Sequence, residues 1–208
     1  NTTEKNATKT AAVQAGAQTT GKARYLTVIA LMAAISYILA FLEVPMPLAP
    51  SFARMDASDV PALLTTFALG PVAGTVVELI KNVLQALSTS TGGIGELANF
   101  LMGASLVFTA GLIYKQKKTR KMAVVSCVAG SVAMGIMAAI MNYFVLLPMY
   151  QIFMPIDQVI ASFAEVIPFI HTKLDVVLYS ALPGNILKGL IVSVITMLVY
   201  KRVSPAMK

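Results

Sequence analysis

The last long apolar run of the chain, Leu174 to Tyr200, constrains the fold most, because it carries polar groups inside a membrane-length helix. The run exceeds the about 20 residues that a helix needs to cross a bilayer. Asn185 and Lys188 stand near its middle. An ammonium in hydrocarbon costs from about 3 to more than about 10 kcal/mol, so Lys188 must face protein, a cavity or a ligand. Pro183 removes a helix hydrogen bond just before this pair, which predicts unpaired backbone beside Asn185.

The composition predicts an integral membrane protein. Hydrophobic residues make up 57% of the chain and charged residues only 12%, whereas soluble domains carry about 25% charged residues. The net charge of +7 is therefore tested first against membrane topology, and no basic-aromatic stripe indicates nucleic-acid binding. Cys127 is the single cysteine, so no disulfide framework holds the fold.

Six apolar runs predict an all-α integral membrane protein with six transmembrane helices. They cover residues 25–44, 61–69, 72–87, 95–114, 122–150 and 174–200. Gly70-Pro71 separates the second run from the third, which predicts a helical hairpin. We divide the chain into a disordered N-terminal tail (1–21), a six-helix membrane domain (22–203) and a C-terminal tail (204–208).

The distribution of basic residues predicts the orientation. Most of the 16 lysines and arginines lie in the N-terminal tail, in the loop at 115–121 and at the C-terminal end. The positive-inside rule then places both termini in the cytoplasm. Three loops face outward: a proline-rich interfacial loop, a polar loop, and a connection that we expect to contain short interfacial helices. These loops are residues 45–58, 88–95 and 151–173.

Five polar residues fall at the outer-to-middle depth of the predicted helices. They are Glu96, Asn99, Asn142, Asn185 and Lys188. Three amides, one carboxylate and one ammonium supply both donors and acceptors, which suits a neutral, flat, heteroatom-rich ligand better than an ion. The alternative is a set of interhelical hydrogen bonds with no ligand.

Other polar residues have structural interpretations. Glu78 and Lys81 are three residues apart and are predicted to pair with each other. Asp56 and Asp59 could cap the second helix. His171 is the only histidine of the chain, and with no second ligand of the kind a metal needs, we predict no metal site.

Small residues mark two places of close approach. Gly92, Gly93 and Gly95 predict a tight turn whose amides approach a ligand at a helix start. Ala30 and Ala34 stand four residues apart on the first helix, which lets another helix come close. That helix belongs either to the same bundle or to a partner subunit.

Three stretches resemble a known family. They are DVPALLTTFALGPVAGTVVELIKNVLQAL (59–87), TGGIGELANFLMG (91–103) and PGNILKG (183–189). Together with the six-run layout, they resemble the riboflavin-specific S components of energy-coupling-factor (ECF) vitamin transporters, over residues 22–203. The resemblance implies capture of riboflavin or its phosphate FMN at the outer face of a bacterial cell membrane. It also implies a membrane-embedded T component and two cytoplasmic ATPase subunits as partners, with no cofactor and no catalysis.

The resemblance also implies roles for individual residues. Asn142, Asn185 and Lys188 hydrogen-bond the ligand, Gly95, Glu96 and Asn99 lie beside it, Met46 and Leu48 close over it, and Ala30 and Ala34 dock the T component. Two alternatives stay open. One is an S component for another vitamin or precursor, and the other is a small intramembrane enzyme that uses Glu96 or Glu78. The enzyme lacks support, because the chain has no G-x-S-x-G, H-E-x-x-H or Walker motif.

Overall fold

The computed structural model describes residues 2–89 and 92–207, so Ser90 and Thr91 of the predicted 88–95 loop lie outside the described residues. Within these ranges the protein is built mainly of helices, as predicted, with one short β-ladder and two π-helical segments. In chain order the elements are α1 (Thr2–Leu39), β1 (Val44–Pro45), β2 (Arg54–Met55), α2 (Asp59–Leu69), α3 (Pro71–Ala86), α4 (Ile94–Gln116), α5 (Arg120–Met141), π1 (Asn142–Leu146), α6 (Leu147–Phe153), α7 (Ile156–Val166), α8 (Lys173–Val176), π2 (Val177–Ala181) and α9 (Leu182–Met207).

Four helical spans within the described ranges are long and apolar enough to cross a membrane. They are Gly21–Leu39, Ile94–Gln116, Arg120–Phe153 and Lys173–Val203. Helices α2 and α3 have 11 and 16 residues, fewer than the about 20 of a full crossing. The count of six crossings therefore stays a prediction. Helix α1 takes in most of the segment expected to be a disordered tail, and the domain division at residue 21 also stays a prediction.

Helix α2, which is shorter than each of the four long spans, lies at the centre of the bundle. Its residues from Asp59 to Phe67 are all buried, and it contacts α1, α3, α4 and α9. Burial on every side accounts for the mostly apolar composition of this helix. At 1.5 Å per residue α2 is about 16 Å long, roughly half the hydrocarbon thickness. Helix α2 alone therefore does not extend through the depth of a bilayer.

The predicted helical hairpin is formed by α2 and α3. Gly70 ends α2 with φ 106°, a conformation that side-chain-bearing residues rarely adopt. Gly74 of α3 then packs directly on α2, since a Cβ there would lie 2.7 Å from the Ala62 carbonyl oxygen. The turn and this close approach bring α3 back along α2.

Gly103 of α4 lets two buried carboxylates approach this helix. A Cβ at this position would lie 2.6 Å from Glu78 Oε2 and 3.4 Å from Asp59 Oδ1. Because Glu78 is fully buried and held by Lys81, we expect Gly103→Ala to lower the free energy of unfolding by about 1–3 kcal/mol. Thermal unfolding in detergent measures the change. Gly21→Ala is the matched control, since a Cβ there meets nothing within 4 Å; equal melting temperatures for the two variants would contradict the prediction.

The proline-rich segment after α1 contains a short antiparallel ladder that the sequence analysis did not predict. Val44 pairs with Met55, and Pro45 pairs with Arg54. Arg54 also forms an ion pair of 3.7 Å with Glu43. Two residues per strand are too few for a pattern of alternating hydrophobicity, so only the ordered loop was predictable.

The two π-helical segments occur at matching places in two long helices. In each case the second residue after the segment is a proline: Pro148 after π1 and Pro183 after π2. A proline ring collides with the carbonyl four residues earlier, and the wider π turn relieves that contact. The disturbed backbone predicted beside Asn185 thus takes the form of π2.

The hydrophobic core has two parts. A large cluster joins α1, α2, α3, α4, α5 and α9. A smaller cluster joins α6 and α7 with the residues that lead into α9, and its buried members are Leu147, Val159, Phe163, Ile170, Val176 and Val177. The connection after α6 therefore folds into helices with a core of their own.

Candidate functional site

A cavity of about 290 Å³ lies at the N-terminal end of α2. Its volume is close to the lower limit for small-molecule sites, which is about 300 Å³. The apolar part of the lining consists mainly of methionines and aromatic rings: Met46, Phe52, Met102, Met149, Tyr150 and Phe163. Such side chains form flat, adaptable walls suited to a planar molecule.

The loop between α1 and α2 is attached to the other side of the cavity through Phe52. The Phe52 ring meets Tyr150 and Phe163 edge-on, with ring centroids 5.7 and 5.9 Å apart. Edge-to-face pairs of this kind contribute about 0.5–1.5 kcal/mol each. The loop is thereby held against α6 and α7 and covers part of the cavity.

Two asparagines line the cavity with the same local geometry. Asn142 Nδ2 donates to the Ala138 carbonyl, and Asn185 Nδ2 donates to the Ala181 carbonyl, each at 2.8 Å. These bonds fix both amides to their own helices. The Oδ1 atom and the second N–H of each amide are then the groups that can meet a ligand.

Lys188 also lines the cavity, and buried carboxylates neutralise it. The residue is 5% exposed, and its Nζ lies 3.0 Å from Asp59 Oδ2 and 4.0 Å from Asp56 Oδ2. From the sequence, this ammonium was expected only to face protein, a cavity or a ligand. The structure pairs it with two aspartates that had been interpreted as possible helix caps.

The cap interpretation of Asp59 is wrong. Ser58 occupies the N-cap position of α2 without a side-chain cap bond, and Asp56 Oδ1 accepts the Ser58 backbone N–H at 2.7 Å. Asp59 is fully buried and binds lysines instead. The spacing along the chain gave no sign of this, because Lys188 is distant in sequence.

A second buried lysine lies behind Lys188. Lys81 Nζ is 2.7 Å from Asp59 Oδ1, 2.6 Å from Glu78 Oε2 and 3.0 Å from Ser58 Oγ. The predicted pairing of Glu78 with Lys81 is confirmed. Both side chains of this pair are excluded from solvent, and two carboxyl groups and the Ser58 hydroxyl compensate the ammonium there.

Hydrogen bonds extend the buried polar cluster from Glu78 to Asn99 of α4. Asn82 Nδ2 donates to the Glu78 carbonyl at 2.8 Å, and Asn99 Nδ2 donates to Asn82 Oδ1 at 3.0 Å. Asn99 lines the cavity from α4. A continuous set of polar contacts therefore connects Lys188 on α9 to Asn99.

Most of the residues predicted to bind a ligand come together here. The cavity is lined by Met46, Gly95, Glu96, Asn99, Asn142, Asn185 and Lys188. Leu48 lies outside the lining and is 43% exposed, with φ 65°. The role of each residue in binding stays a prediction.

Other polar lining residues were missed. Glu43, Arg54, Asp56 and Gln85 also line the cavity. Gln85 follows Lys81 by four residues, so the helical spacing on α3 could have identified it. Glu43 and Asp56 lie in irregular segments and Arg54 lies on the two-residue strand β2, so no periodicity could identify them.

Ala30 and Ala34 are exposed on α1. Their neighbours Ala33 and Ser36 are buried, and Ser36 Oγ donates a hydrogen bond to the Ser58 carbonyl. The face that packs within the bundle is therefore a different face of α1. His171 is exposed, and among residues 2–89 and 92–207 no three histidine, cysteine or acidic side chains cluster as metal ligands would.

A cavity of small-molecule size among membrane-length helices, lined by apolar walls and a few oriented amides, defines a membrane protein that holds a small solute. The family model "ECF transporter, substrate-specific component" matches residues 24–200. The chain belongs to this family. It is accordingly a transport component of the bacterial cell membrane and not an enzyme, as the sequence analysis predicted.

Curated relatives and a solved structure cover nearly the whole chain. Riboflavin transporter RibU of Staphylococcus aureus (strain TCH60) is 38% identical over 184 residues, covering 88% of this chain and 92% of that protein. Riboflavin transporter FmnP of Bacillus subtilis (strain 168) is 32% identical, covering 88% and 94%. A solved structure, "Structure and mechanism of the S component of a bacterial ECF transporter", is similar with a TM-score of 0.70 and 35% identity, covering 90% of this chain and 99% of that one.

Proposed function

We propose that this protein captures riboflavin outside the cell for ATP-driven uptake by an ECF transporter. The observation that carries the proposal is the cavity, which combines flat apolar walls with the three amides and the lysine expected to contact the vitamin. Relatives that share 38% and 32% of their residues with this chain are named riboflavin transporters.

The chemistry of the ligand matches the cavity lining. The isoalloxazine ring of riboflavin is flat, with an apolar dimethylbenzene edge and a polar pyrimidine edge, and its ribityl chain carries hydroxyls. The Oδ1 atoms of Asn142 and Asn185 accept hydrogen bonds from ring N–H or ribityl O–H groups. Lys188 donates to a carbonyl or hydroxyl oxygen, and Phe52, Tyr150 and Phe163 provide the apolar walls. Nothing in this arrangement requires a cofactor, and riboflavin itself is the cargo.

We propose a topology of six crossings with both termini in the cytoplasm. Helices α2 and α3 supply the second and third crossings although each is short, since neighbouring helices surround α2. The loops that end near the cavity then face outward, where riboflavin is found. A membrane-embedded T component docks on α1 at Ala30 and Ala34, and two cytoplasmic ATPase subunits drive release of the vitamin.

Riboflavin binding is directly measurable, because the free vitamin fluoresces and stacking on aromatic rings quenches it. We expect the detergent-purified protein to quench added riboflavin at a one-to-one ratio. FMN and an unrelated vitamin such as thiamine, added as competitors, test which ligand is preferred. Folded protein that fails to bind riboflavin at micromolar concentration, or that releases it to thiamine, would contradict the proposal.

A further inference from the structure

Four ionisable side chains are buried together directly beneath the cavity. Asp59, Glu78, Lys81 and Lys188 are each 5% exposed or less, and only Lys188 lines the cavity. We propose that Asp59 is a positioning residue for the ligand: it holds the Lys188 ammonium at the cavity wall without touching the ligand itself. The inference rests on the proposed capture of riboflavin.

Asp59 divides its carboxylate between the two lysines. Oδ2 lies 3.0 Å from Lys188 Nζ, and Oδ1 lies 2.7 Å from Lys81 Nζ. One short side chain on the first turn of α2 thus links α9 to α3. Because the carboxylate is planar and rigid, the placement of each ammonium depends on the other.

The two lysines do not depend on Asp59 equally. Lys81 has two further close partners, Glu78 Oε2 at 2.6 Å and Ser58 Oγ at 3.0 Å. For Lys188 the other carboxylate is that of Asp56, 4.0 Å away and beyond direct hydrogen-bonding distance. Removal of the Asp59 charge therefore leaves Lys81 paired and leaves Lys188 poorly compensated.

A lysine in this situation does not keep its position. The side chain has four rotatable methylenes, and a buried ammonium without a close counter-ion either turns toward another acceptor or gives up its proton. The first outcome moves the donor away from the site at which the ligand would meet it, and the second leaves a neutral amine, which is a weaker donor than the ammonium. The affinity for riboflavin should then fall although the ligand contacts themselves are unchanged.

A double-mutant cycle separates this role from a general contribution to folding. Riboflavin affinity is measured by fluorescence quenching for the parent protein, Asp59→Asn, Lys188→Met and the double variant. We expect Asp59→Asn alone to weaken binding about tenfold or more. In the Lys188→Met background the same substitution should change affinity by less than about twofold, since its effect passes through the missing ammonium.

Glu78→Gln is the matched control. It removes another buried carboxylate from the same cluster, and Glu78 pairs with Lys81 rather than with Lys188. The effect of Glu78→Gln on affinity should be the same factor in the parent and in the Lys188→Met background. This additivity would distinguish a specific dependence of Lys188 on Asp59 from loosening of the whole cluster.

The comparison of Lys188→Met with the double variant stands even if Asp59→Asn alone does not fold, because the double variant loses one charge of each sign. A further loss of tenfold or more in that comparison would overturn the inference, as would normal binding by Asp59→Asn. If the folded parent protein does not bind riboflavin, the proposed function is overturned and this inference with it. If the parent protein binds riboflavin and the Asp59→Asn and Lys188→Met effects are additive, this inference alone is overturned.

Discussion

An Ala34→Trp variant is expected to bind riboflavin as the parent protein does and to support no riboflavin uptake. Ala34 is exposed on α1 and does not line the cavity, so the ligand contacts remain. A tryptophan there keeps another helix from approaching closely, since tight helix pairs in membranes depend on small residues at the contact. Binding is measured on purified protein, and uptake is measured in cells that produce the complete transporter.

Ile35→Trp provides the matched control for the docking surface. Ile35 is also exposed on α1, and one residue further along a helix turns the side chain by about 100°. We expect this variant to retain uptake, because the bulky ring then faces away from Ala30 and Ala34. Retained uptake by Ala34→Trp would return these alanines to the lipid-facing surface, and equal loss in both variants would show that α1 tolerates no added bulk.

Asn185→Ala and Lys188→Ala are each expected to weaken riboflavin binding by about 1–3 kcal/mol, roughly five- to 150-fold. The reason is that each substitution leaves a polar atom of the ligand without a partner in a site that excludes water. Quenching titrations on the purified variants measure the loss. Thermal unfolding without riboflavin shows whether the variants still fold.

Ser193→Ala is the control for these two substitutions. Ser193 lies on the same helix, is 2% exposed and does not line the cavity. Loss of its hydroxyl should change affinity by less than about twofold. Unchanged affinity in both Asn185→Ala and Lys188→Ala would show that riboflavin does not bind in this cavity.

The helical architecture was predictable because long apolar runs leave a backbone no other way to satisfy its hydrogen bonds in lipid. The ends of the runs at Gly70-Pro71 and at residues 115–121 agree with the ends of α2 and α4. The polar residues at the outer ends of the predicted helices do converge, since loops predicted on one side of the membrane bring their neighbours to one cavity. Depth along a helix, which sequence provides, was sufficient for that result.

The pairing of the charges beneath the cavity could not be predicted in full from depth along a helix. Glu78 and Lys81 share one helix, so their pairing followed from a spacing of three residues. Asp59 joins lysines on two other helices, and such a contact depends on how helices are arranged around α2. The only sequence feature that indicated the π-helical segments was the proline that follows each of them. No periodic pattern indicated the two-residue strands.

The short central helix has a consequence for how proteins of this architecture diversify. Because the cavity lies at the N-terminal end of α2, the buried residues Asp59 and Lys81 lie behind its lining, whereas loop residues such as Met46 and Phe52 form part of the lining itself. Substitutions in the loop part of the lining can then reshape the cavity for a different solute while the buried ion pairs stay intact. Evolution or protein engineering can therefore change the bound solute without altering the packing of the buried helices.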